Sequence, residues 1–361
     1  MPAEFAIKDA FKAAEAGNYE EAKRICAGLI ETDPDDAEAL HLYGVAAYQS
    51  GLDPEAALGL IERAIAANPE NGRFHNSRGA LYYALAMNAE AEAAFRHSAE
   101  LDPKDGTAWN NLGNALLRLD RVPEAEHCFR QALAVLPGFI SAINNLGVAF
   151  KRQGILDKAL ICFREAATHQ PDYLDAQFNL AELSLQLNDL ATAETHFRKA
   201  IEIDPDCAPA YSALAQTLSD QRRTDEALAT IKAAAERLPE DEDLQFALRM
   251  HVSGLIPAWH IPMINDEERN VAYERALKHA VKPSDIVLEV GTGSGLVAMM
   301  AARAGAKLAV TCAAVPILAD VAKETVERNG LSAKIRVLSK RSTQVKLGED
   351  LPERADIFVS E

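Results

Sequence analysis

The sequence lacks several features that mark particular classes of protein. Aromatic residues make up only 6% of it, and its five cysteines are scattered without a CxxC pair. Isolated cysteines build neither a disulfide framework nor a metal site, so we expect reduced thiols and a cytoplasmic location. No apolar run approaches the length of a membrane span, and the start, MPAEFAIKDA, does not have the pattern of a signal peptide.

Basic residues are also scarce, but only in part of the chain. The sequence holds 37 basic and 54 acidic residues, and the two kinds are equally numerous within residues 256–361. The formal net charge of −17 therefore belongs to residues 1–255. Such a surface repels nucleic acid and anionic membranes and attracts basic partners, although an acidic face kept for solubility explains the charge equally well.

Proline recurs at nearly fixed intervals through the first two thirds of the chain. The first interval is 35 residues and the next five are 34 residues, with prolines at Pro34, Pro69, Pro103, Pro137, Pro171, Pro205 and Pro239. Inside the unit that starts at residue 106, small residues occupy the eighth and twentieth positions and an aromatic residue the twenty-fourth: Gly113, Ala125 and Phe129. This pattern identifies the tetratricopeptide repeat (TPR) and predicts seven helix pairs over residues 1–239, stacked as an all-α solenoid.

The residue types at these positions have packing reasons. We expect the two helices of each pair to cross closely at the eighth and twentieth positions, where a larger side chain would separate them. The phenylalanine is expected to fill the gap between neighbouring pairs. The second unit is one residue longer, and the extra residue is expected in the turn around QSGLDPEAA.

Asparagine occupies the sixth position in three successive units, at Asn111, Asn145 and Asn179. These amides are expected to form a ladder along the groove of the solenoid, where each can donate to and accept from a peptide backbone. The pattern resembles the asparagine ladder of the O-GlcNAc transferase TPR superhelix, which implies a protein or peptide ligand. Ser77 and Ala213 interrupt the ladder on either side. A solvated consensus asparagine is the alternative interpretation.

The remainder of the chain predicts a connector and a second domain. Residues 240–256 are expected to form a helical connector, and residues 257–361 alternate between strand and helix patterns. Strands are predicted at 286–290, 307–312, 334–338 and 356–360, with helices at 295–304 and 316–329. The fold class is therefore multidomain: a TPR solenoid followed by an incomplete α/β Rossmann-like domain.

The stretch VLEVGTGSG at 287–295 joins the first predicted strand to a helix. Glycine lets a backbone approach a ligand, and the helix N-terminus behind it offers N–H groups and a positive dipole end. Dinucleotide binding needs a third glycine at 296, which is leucine, so the spacing favours S-adenosylmethionine (SAM). A glycine-rich turn without a ligand is the alternative.

Residues 257–361 resemble the protein arginine methyltransferases, especially members with a divergent, duplicated catalytic core, one of which carries N-terminal TPRs. The resemblance rests on VLEVGTGSG and on four further stretches: HIPMIND-x-x-RN-x-x-Y at 260–273, ERNG at 327–330, KIRVLSKRSTQV at 334–345 and DIFVSE at 356–361. It implies SAM-dependent methylation of arginine.

The resemblance also implies the roles of individual residues. Arg269 corresponds to the arginine that pairs with the carboxylate of SAM, and Met263 to the methionine beside the sulfonium. Ser342 and Thr343 correspond to positions at the adenine edge, and Glu361 to the catalytic glutamate that holds the substrate guanidinium. Cofactor binding is thus expected at Arg269, Met263, Glu289, Gly291, Gly293, Gly295, Ser342 and Thr343.

Two departures from the family pattern leave two functions open. Ala313 stands where the family has an acidic residue that binds the ribose hydroxyls. The absence of that acid would weaken cofactor binding by about 1–3 kcal/mol. The resemblance implies a second glutamate that acts with Glu361 and a β-barrel that binds the substrate. Neither follows Glu361 in this sequence, so we expect a truncated core that is inactive alone. We predict a SAM-dependent protein arginine methyltransferase whose acidic TPR superhelix recruits basic proteins. The alternative is a TPR scaffold with a degenerate methyltransferase half-domain; small-molecule methylation explains the motifs less well.

Overall fold

The computed structural model describes residues 3–255, 265–291 and 294–360. In these ranges the chain forms eighteen α-helices, four β-strands and one 3-10 turn. It divides into two compact units, Met1–Ala210 and Tyr211–Glu361. None of the helices in the described ranges has both the length and the apolar character that crossing a membrane requires.

The compact unit Met1–Ala210 contains six consecutive helix pairs joined by short turns. Their helices are α1 (Ala3–Glu15), α2 (Tyr19–Thr32), α3 (Ala37–Gln49), α4 (Pro54–Ala67), α5 (Gly72–Ala84), α6 (Asn88–Leu101), α7 (Gly106–Arg118), α8 (Val122–Val135), α9 (Ile140–Arg152), α10 (Leu156–His169), α11 (Leu174–Gln186) and α12 (Leu190–Ile203). The turn between α3 and α4 is one residue longer than the turns inside the other pairs, so the predicted place of the extra residue is confirmed.

Each turn inside a pair ends its first helix with one residue of positive φ. This residue is always at the fifteenth position of its repeat. The seven residues, one in each repeat, are Gly17, Gly51, Ala86, Asp120, Gly154, Asn188 and Arg222. A left-handed residue satisfies the last carbonyls of a helix and reverses the chain. Only three of the seven are glycine, so this turn is set by the repeat and not by glycine alone.

The second helix of a pair packs tightly against the first at the eighth position. A Cβ built on Gly113 would lie 2.4 Å from Cε1 of Phe129, and Gly79 and Gly147 approach their own phenylalanines at 2.6 Å. The ring of Phe129 is fully buried and belongs to a core that runs continuously from residue 91 to residue 183. The predicted close crossing is confirmed, and the ring lies against the glycine of its own unit as well as within the shared core.

The predicted connector is helical and repeats the geometry of a first TPR helix. It follows α13 (Ala208–Asp220) and α14 (Thr224–Arg237) and forms α15 (Glu242–Leu255). Gln245 Nε2 donates to the carbonyl of Pro239 at 3.4 Å, as Gln177 Nε2 does to that of Pro171 at 2.9 Å. Thus α15 is built like the first helix of an eighth unit, and the predicted boundaries at 239 and 256 stay predictions.

The C-terminal region is a parallel sheet with helices. Its elements are α16 (Glu267–Ala280), β1 (Ile286–Val290), α17 (Leu296–Arg303), β2 (Leu308–Ala313), α18 (Pro316–Arg328), β3 (Ile335–Ser339), the 3-10 turn (Ser342–Gln344) and β4 (Ile357–Ser360). The strand order is β3-β2-β1-β4 and all three pairings are parallel. The incomplete Rossmann-like sheet is therefore confirmed, with every predicted strand within one residue of its observed bounds.

The two faces of this sheet have different covers. Val287, Ala309 and Ile335 pack with residues of α16, α17 and α18. On the opposite face, Ile286 and Val310 pack beneath Leu351 and other residues that follow β3. The strand order reverses direction between β1 and β4, and ligands of open α/β sheets bind at the carboxyl ends of strands at such a point.

Candidate functional site

The glycine loop lies at this switch point, immediately after β1. Gly291 has φ +93° and its N–H donates to the carbonyl of Cys312 at 3.2 Å. Among the described residues, no heavy atom comes within 4 Å of a Cβ built on Gly291. Gly295 has φ +78°, and its Cβ would meet Val326 and Ala322 at 3.4–3.5 Å. Gly295 therefore serves the turn itself, whereas the side-chain side of Gly291 is open among the residues that the structure describes.

Gly295 is also the N-cap of α17. It has no side chain, so it cannot accept from the first helical N–H groups as a side-chain cap would. Uncapped N–H groups and the positive end of the helix dipole favour an anionic ligand. An anionic group is therefore a suitable ligand for the start of α17.

Polar side chains are buried beneath this loop. Glu289 on β1 is 2% exposed and is in register with Thr311 on β2, which is fully buried. The Thr311 hydroxyl has no hydrogen-bond partner among the residues that the structure describes. Burial raises the pKa of the neighbouring Cys312 thiol, which keeps it protonated. The carboxyl ends of β1 and β2 therefore present polar groups in an otherwise apolar interior.

Arg269 lies in the first turn of α16. Its N–H donates to Asp266 Oδ1 at 3.0 Å, its Nη1 donates to Asn270 Oδ1 at 3.1 Å, and its guanidinium lies 5.0 Å from the ring centre of Tyr273. Tyr273 packs against the core that includes Val297 of α17. The helix of Arg269 is therefore anchored on the helix that follows the glycine loop, and its role as a carboxylate ligand stays a prediction.

Ser342 and Thr343 are exposed in the 3-10 turn directly after β3. The loop beyond them is fixed by Asp350, which accepts from Lys340 Nζ at 2.7 and 2.9 Å and from the N–H of Lys346 at 2.8 Å. The Lys340 ammonium lowers the pKa of Asp350. No sequence pattern indicates this ion pair, because its partners meet only when the loop closes.

Three predicted site residues lie outside the described residues: Met263, Gly293 and Glu361. The departure at Ala313 has a defined position, since this residue ends β2 and is 3% exposed. Its methyl group offers no acceptor to a ribose. No cluster of three or more potential metal ligands occurs within residues 3–255, 265–291 and 294–360.

The asparagine ladder is linked from unit to unit. Each sixth-position amide donates to the fifth-position asparagine of the preceding unit, in the pairs Asn111–Asn76 at 3.1 Å, Asn145–Asn110 at 3.0 Å and Asn179–Asn144 at 3.0 Å. Asn110 and Asn144 stand out in the sequence as amides near the ladder. Their pairing with it was missed, because an offset of 35 residues has meaning only once the stacking of the first helices is known.

Ser77, which interrupts the ladder in the sequence, continues it in the structure. Its hydroxyl bonds His41 Nε2 at 2.8 Å, and His41 is the fifth-position residue of its unit. Burial and then the charge of Arg73 lower the pKa of His41 to about 4, so this imidazole is neutral at physiological pH. The polar links therefore run through five consecutive units.

These links orient the amides before any ligand binds. One Nδ2–H of each sixth-position asparagine is used between units, which leaves its second N–H for another partner. Oδ1 of Asn145 also accepts from Asn144 Nδ2 at 3.5 Å, and its second lone pair can accept another bond. Asn111, Asn145 and Asn179 are half-buried, so those groups can reach a ligand. Their position fits the predicted peptide groove, whose ligand stays a prediction.

Comparison with known proteins separates the same two regions. The sequence model of the tetratricopeptide repeat family matches residues 12–72, 51–106, 106–139, 144–207 and 185–249, the last of which extends into α15. The model "Ribosomal protein L11 methyltransferase (PrmA)" matches residues 274–361.

Curated relatives match part of the chain. The "Arginine N(omega)-methyltransferase" of Streptomyces achromogenes subsp. streptozoticus is 38% identical over 154 residues, which is 42% of this chain and 41% of the relative. The "Protein arginine N-methyltransferase 7" of Anopheles gambiae is 41% identical over 128 residues, 33% of this chain and 18% of the relative. The chain thus spans less than half the length of these relatives.

Solved structures share the fold of the array. A chain of the "APC/C hetero-tetramer Cut9-Hcn1" matches with a TM-score of 0.60 at 14% identity and covers 67% of this chain and 48% of its own length. The pilus biogenesis factor PilW matches with a TM-score of 0.54 at 24% identity, covering 59% and 98% respectively. At these identities the likeness concerns the fold alone.

Proposed function

We propose that this chain, which carries TPR repeats followed by a methyltransferase-like region, acts in SAM-dependent methylation of protein arginine in the cytoplasm, with its acidic array recruiting basic proteins. The observation that carries the proposal is the uncapped start of α17 behind Gly291 at the switch point of the sheet. The relatives named as arginine methyltransferases support the choice of arginine.

The residues present fit SAM, whose chemistry is the supply of a methyl group from its sulfonium. The N–H groups at the start of α17 would hold its carboxylate together with Arg269, because a guanidinium and a helix N-terminus both favour an anion. The hydroxyls of Ser342 and Thr343 would face the adenine. In the same proposal, Met263 and Gly293 belong to the cofactor site and Glu361 would hold the target guanidinium.

The array would contribute recruitment. Its negative charge attracts arginine-rich segments over distances of about a Debye length, roughly 8 Å at physiological ionic strength. At short range, the oriented amides of Asn111, Asn145 and Asn179 would bond an extended backbone. Binding is therefore expected to weaken with salt but to require little sequence in the partner beyond its charge.

Isothermal calorimetry with SAM tests the cofactor part of the proposal. We expect saturable binding of SAM and of S-adenosylhomocysteine by the purified chain, and none of NAD, whose third glycine is absent at position 296. An absence of binding heat with both sulfonium-derived nucleotides would exclude the cofactor site.

A TPR scaffold with a degenerate methyltransferase region is the second candidate, and Ala313 favours it. The Ala313→Glu variant separates the two functions, since it restores the acid that the resemblance places at the end of β2. If the natural chain does not bind SAM and the folded variant does, the scaffold is the better description. If both bind, with the variant tighter by about tenfold, the site is a working one.

A further inference from the structure

A small pocket opens between α3 and α5, the first helices of the second and third repeats. Its volume is about 100 Å³. Ile61 and Leu81 form a buried floor, and Gln49 and Ala80 are exposed at the rim. The half-buried residues that complete the lining are Val45, Tyr48 and Ser77. We call this the α3–α5 pocket.

The pocket coincides with the place where the ladder asparagine is replaced by a smaller residue. Ser77 and Ala80 hold the positions that Asn111 and Asn114 hold in the next unit, and both are the smaller residues. The hydroxyl of Ser77 already bonds His41 at 2.8 Å. The hydroxyl therefore needs no hydrogen bond from a ligand. The pocket is thus an apolar site in line with the ladder asparagines.

Volume and lining together select the kind of group that fits. An apolar cavity of about 150 Å³ accommodates benzene, so about 100 Å³ suits a branched aliphatic side chain better than an aromatic ring. Burying a leucine side chain contributes about 1.5–3 kcal/mol, which corresponds to roughly tenfold to a hundredfold in affinity.

We propose that the α3–α5 pocket anchors one leucine or isoleucine side chain of a basic, extended peptide whose backbone lies along Asn111, Asn145 and Asn179. This inference rests on the recruitment part of the proposed function and adds a side-chain preference to it. The ladder supplies contacts that any backbone can make, the acidic array selects for basic charge, and the pocket sets the register.

The test uses the full chain and fluorescein-labelled peptides of arginine, lysine and glycine, each with one leucine moved along by one position. Fluorescence anisotropy should show one favoured position of the leucine, with a Kd about tenfold to a hundredfold below that of the peptide without leucine. Ala80→Phe, which fills the pocket from its rim, should remove that advantage. Ala66→Phe, an exposed alanine on α4 outside the pocket, is the matched control and should retain it.

The possible outcomes separate recruitment from anchoring. If no peptide binds, recruitment through the array is wrong and the anchor with it. If peptides bind but the position of the leucine makes no difference, the α3–α5 pocket is not an anchor and recruitment stands. The anchor is equally excluded if Ala80→Phe weakens all peptides to the same extent while its thermal unfolding matches that of Ala66→Phe.

Discussion

Glycine has opposite uses in the array and in the α/β region. In the array, Gly113 has an ordinary helical backbone and is required because a ring lies 2.4 Å from where its Cβ would be. In the α/β region, Gly291 has φ +93° and, within the described residues, open space on its side-chain side. Gly113 is therefore required by packing, whereas Gly291 is required by its backbone conformation and, in the proposed function, by the cofactor. Substitution at the two positions should therefore harm different properties.

Buried polar groups differ between the regions in the same way. In the array they are paired from unit to unit, as in Asn145–Asn110 and His41–Ser77, so that they hold the stack together. In the α/β region, Glu289 and Thr311 collect at the carboxyl ends of adjacent strands, where a ligand would lie. A polar group that closes a link is expected to affect stability, and one at a strand end is expected to affect binding.

The largest expected effect is acid sensitivity of the array through His41. Its pKa in the folded state is about 4, against 6.5 without the fold. Between these values the unfolded chain binds the additional proton, so the free energy of unfolding falls as the pH falls, by up to about 1.4 kcal/mol per pH unit. His41→Asn, which copies the fifth position of later units, should reduce this slope in urea unfolding, and burial of His75 and His196, which lowers the pKa of both, should leave a smaller slope. The exposed His169→Asn should leave it unchanged, and equal slopes in the two variants would contradict the assignment.

The second effect is loss of SAM binding on Gly291→Ala. A Cβ there occupies the space left for the ligand, and we expect the Kd for SAM to rise about tenfold to a hundredfold in calorimetry. Gly305→Ala is the matched control. It has φ +106° and no heavy atom of the described residues within 4 Å of its Cβ, so it carries similar backbone strain away from the loop. Should both variants weaken SAM binding equally, the effect would be strain, and the site at Gly291 would be wrong.

Whether the sequence predicted a feature depends on whether that feature is local or arises between elements of the fold. A period of 34 residues repeats every local environment, so the positions of Gly113 and Phe129 were predictable without coordinates. The strands were equally clear, because a parallel sheet buries continuous apolar runs. Partners brought together by stacking or loop closure could not be predicted: Asn76 beneath Asn111, and Lys340 on Asp350. Each of those contacts depends on geometry between elements and not on a pattern within one.

A smaller effect is expected from Gly113→Ala, which should destabilise the array by about 1–3 kcal/mol, because the buried ring of Phe129 must shift. Gly28→Ala provides the reverse case: Gly28 is exposed inside α2, and no described heavy atom lies within 4 Å of its Cβ. There alanine should stabilise by about 0.5–1 kcal/mol through helix propensity. Chemical denaturation measures both, and destabilisation of similar size at the two sites would refute the close crossing. Neither change should alter SAM binding.

The smallest expected effect concerns Asn145, where stability and binding meet in one side chain. Asn145→Ala leaves Oδ1 of the 5%-exposed Asn110 without its 3.0 Å donor, which should cost about 1 kcal/mol. Adding Asn110→Ala removes the stranded acceptor, so the double variant should lose less than the sum of the single losses. Additive losses would mean that the link contributes nothing. Asn114→Ala, on the neighbouring first helix α7, is the control for loss of an amide. Asn145→Ala could weaken peptide binding while Asn110→Ala and Asn145→Ala show no coupling in the free energy of unfolding. In that case the ladder asparagines bind the ligand and do not stabilise the stack. Buried polar groups of the array would then link neighbouring units only at sites outside the ladder.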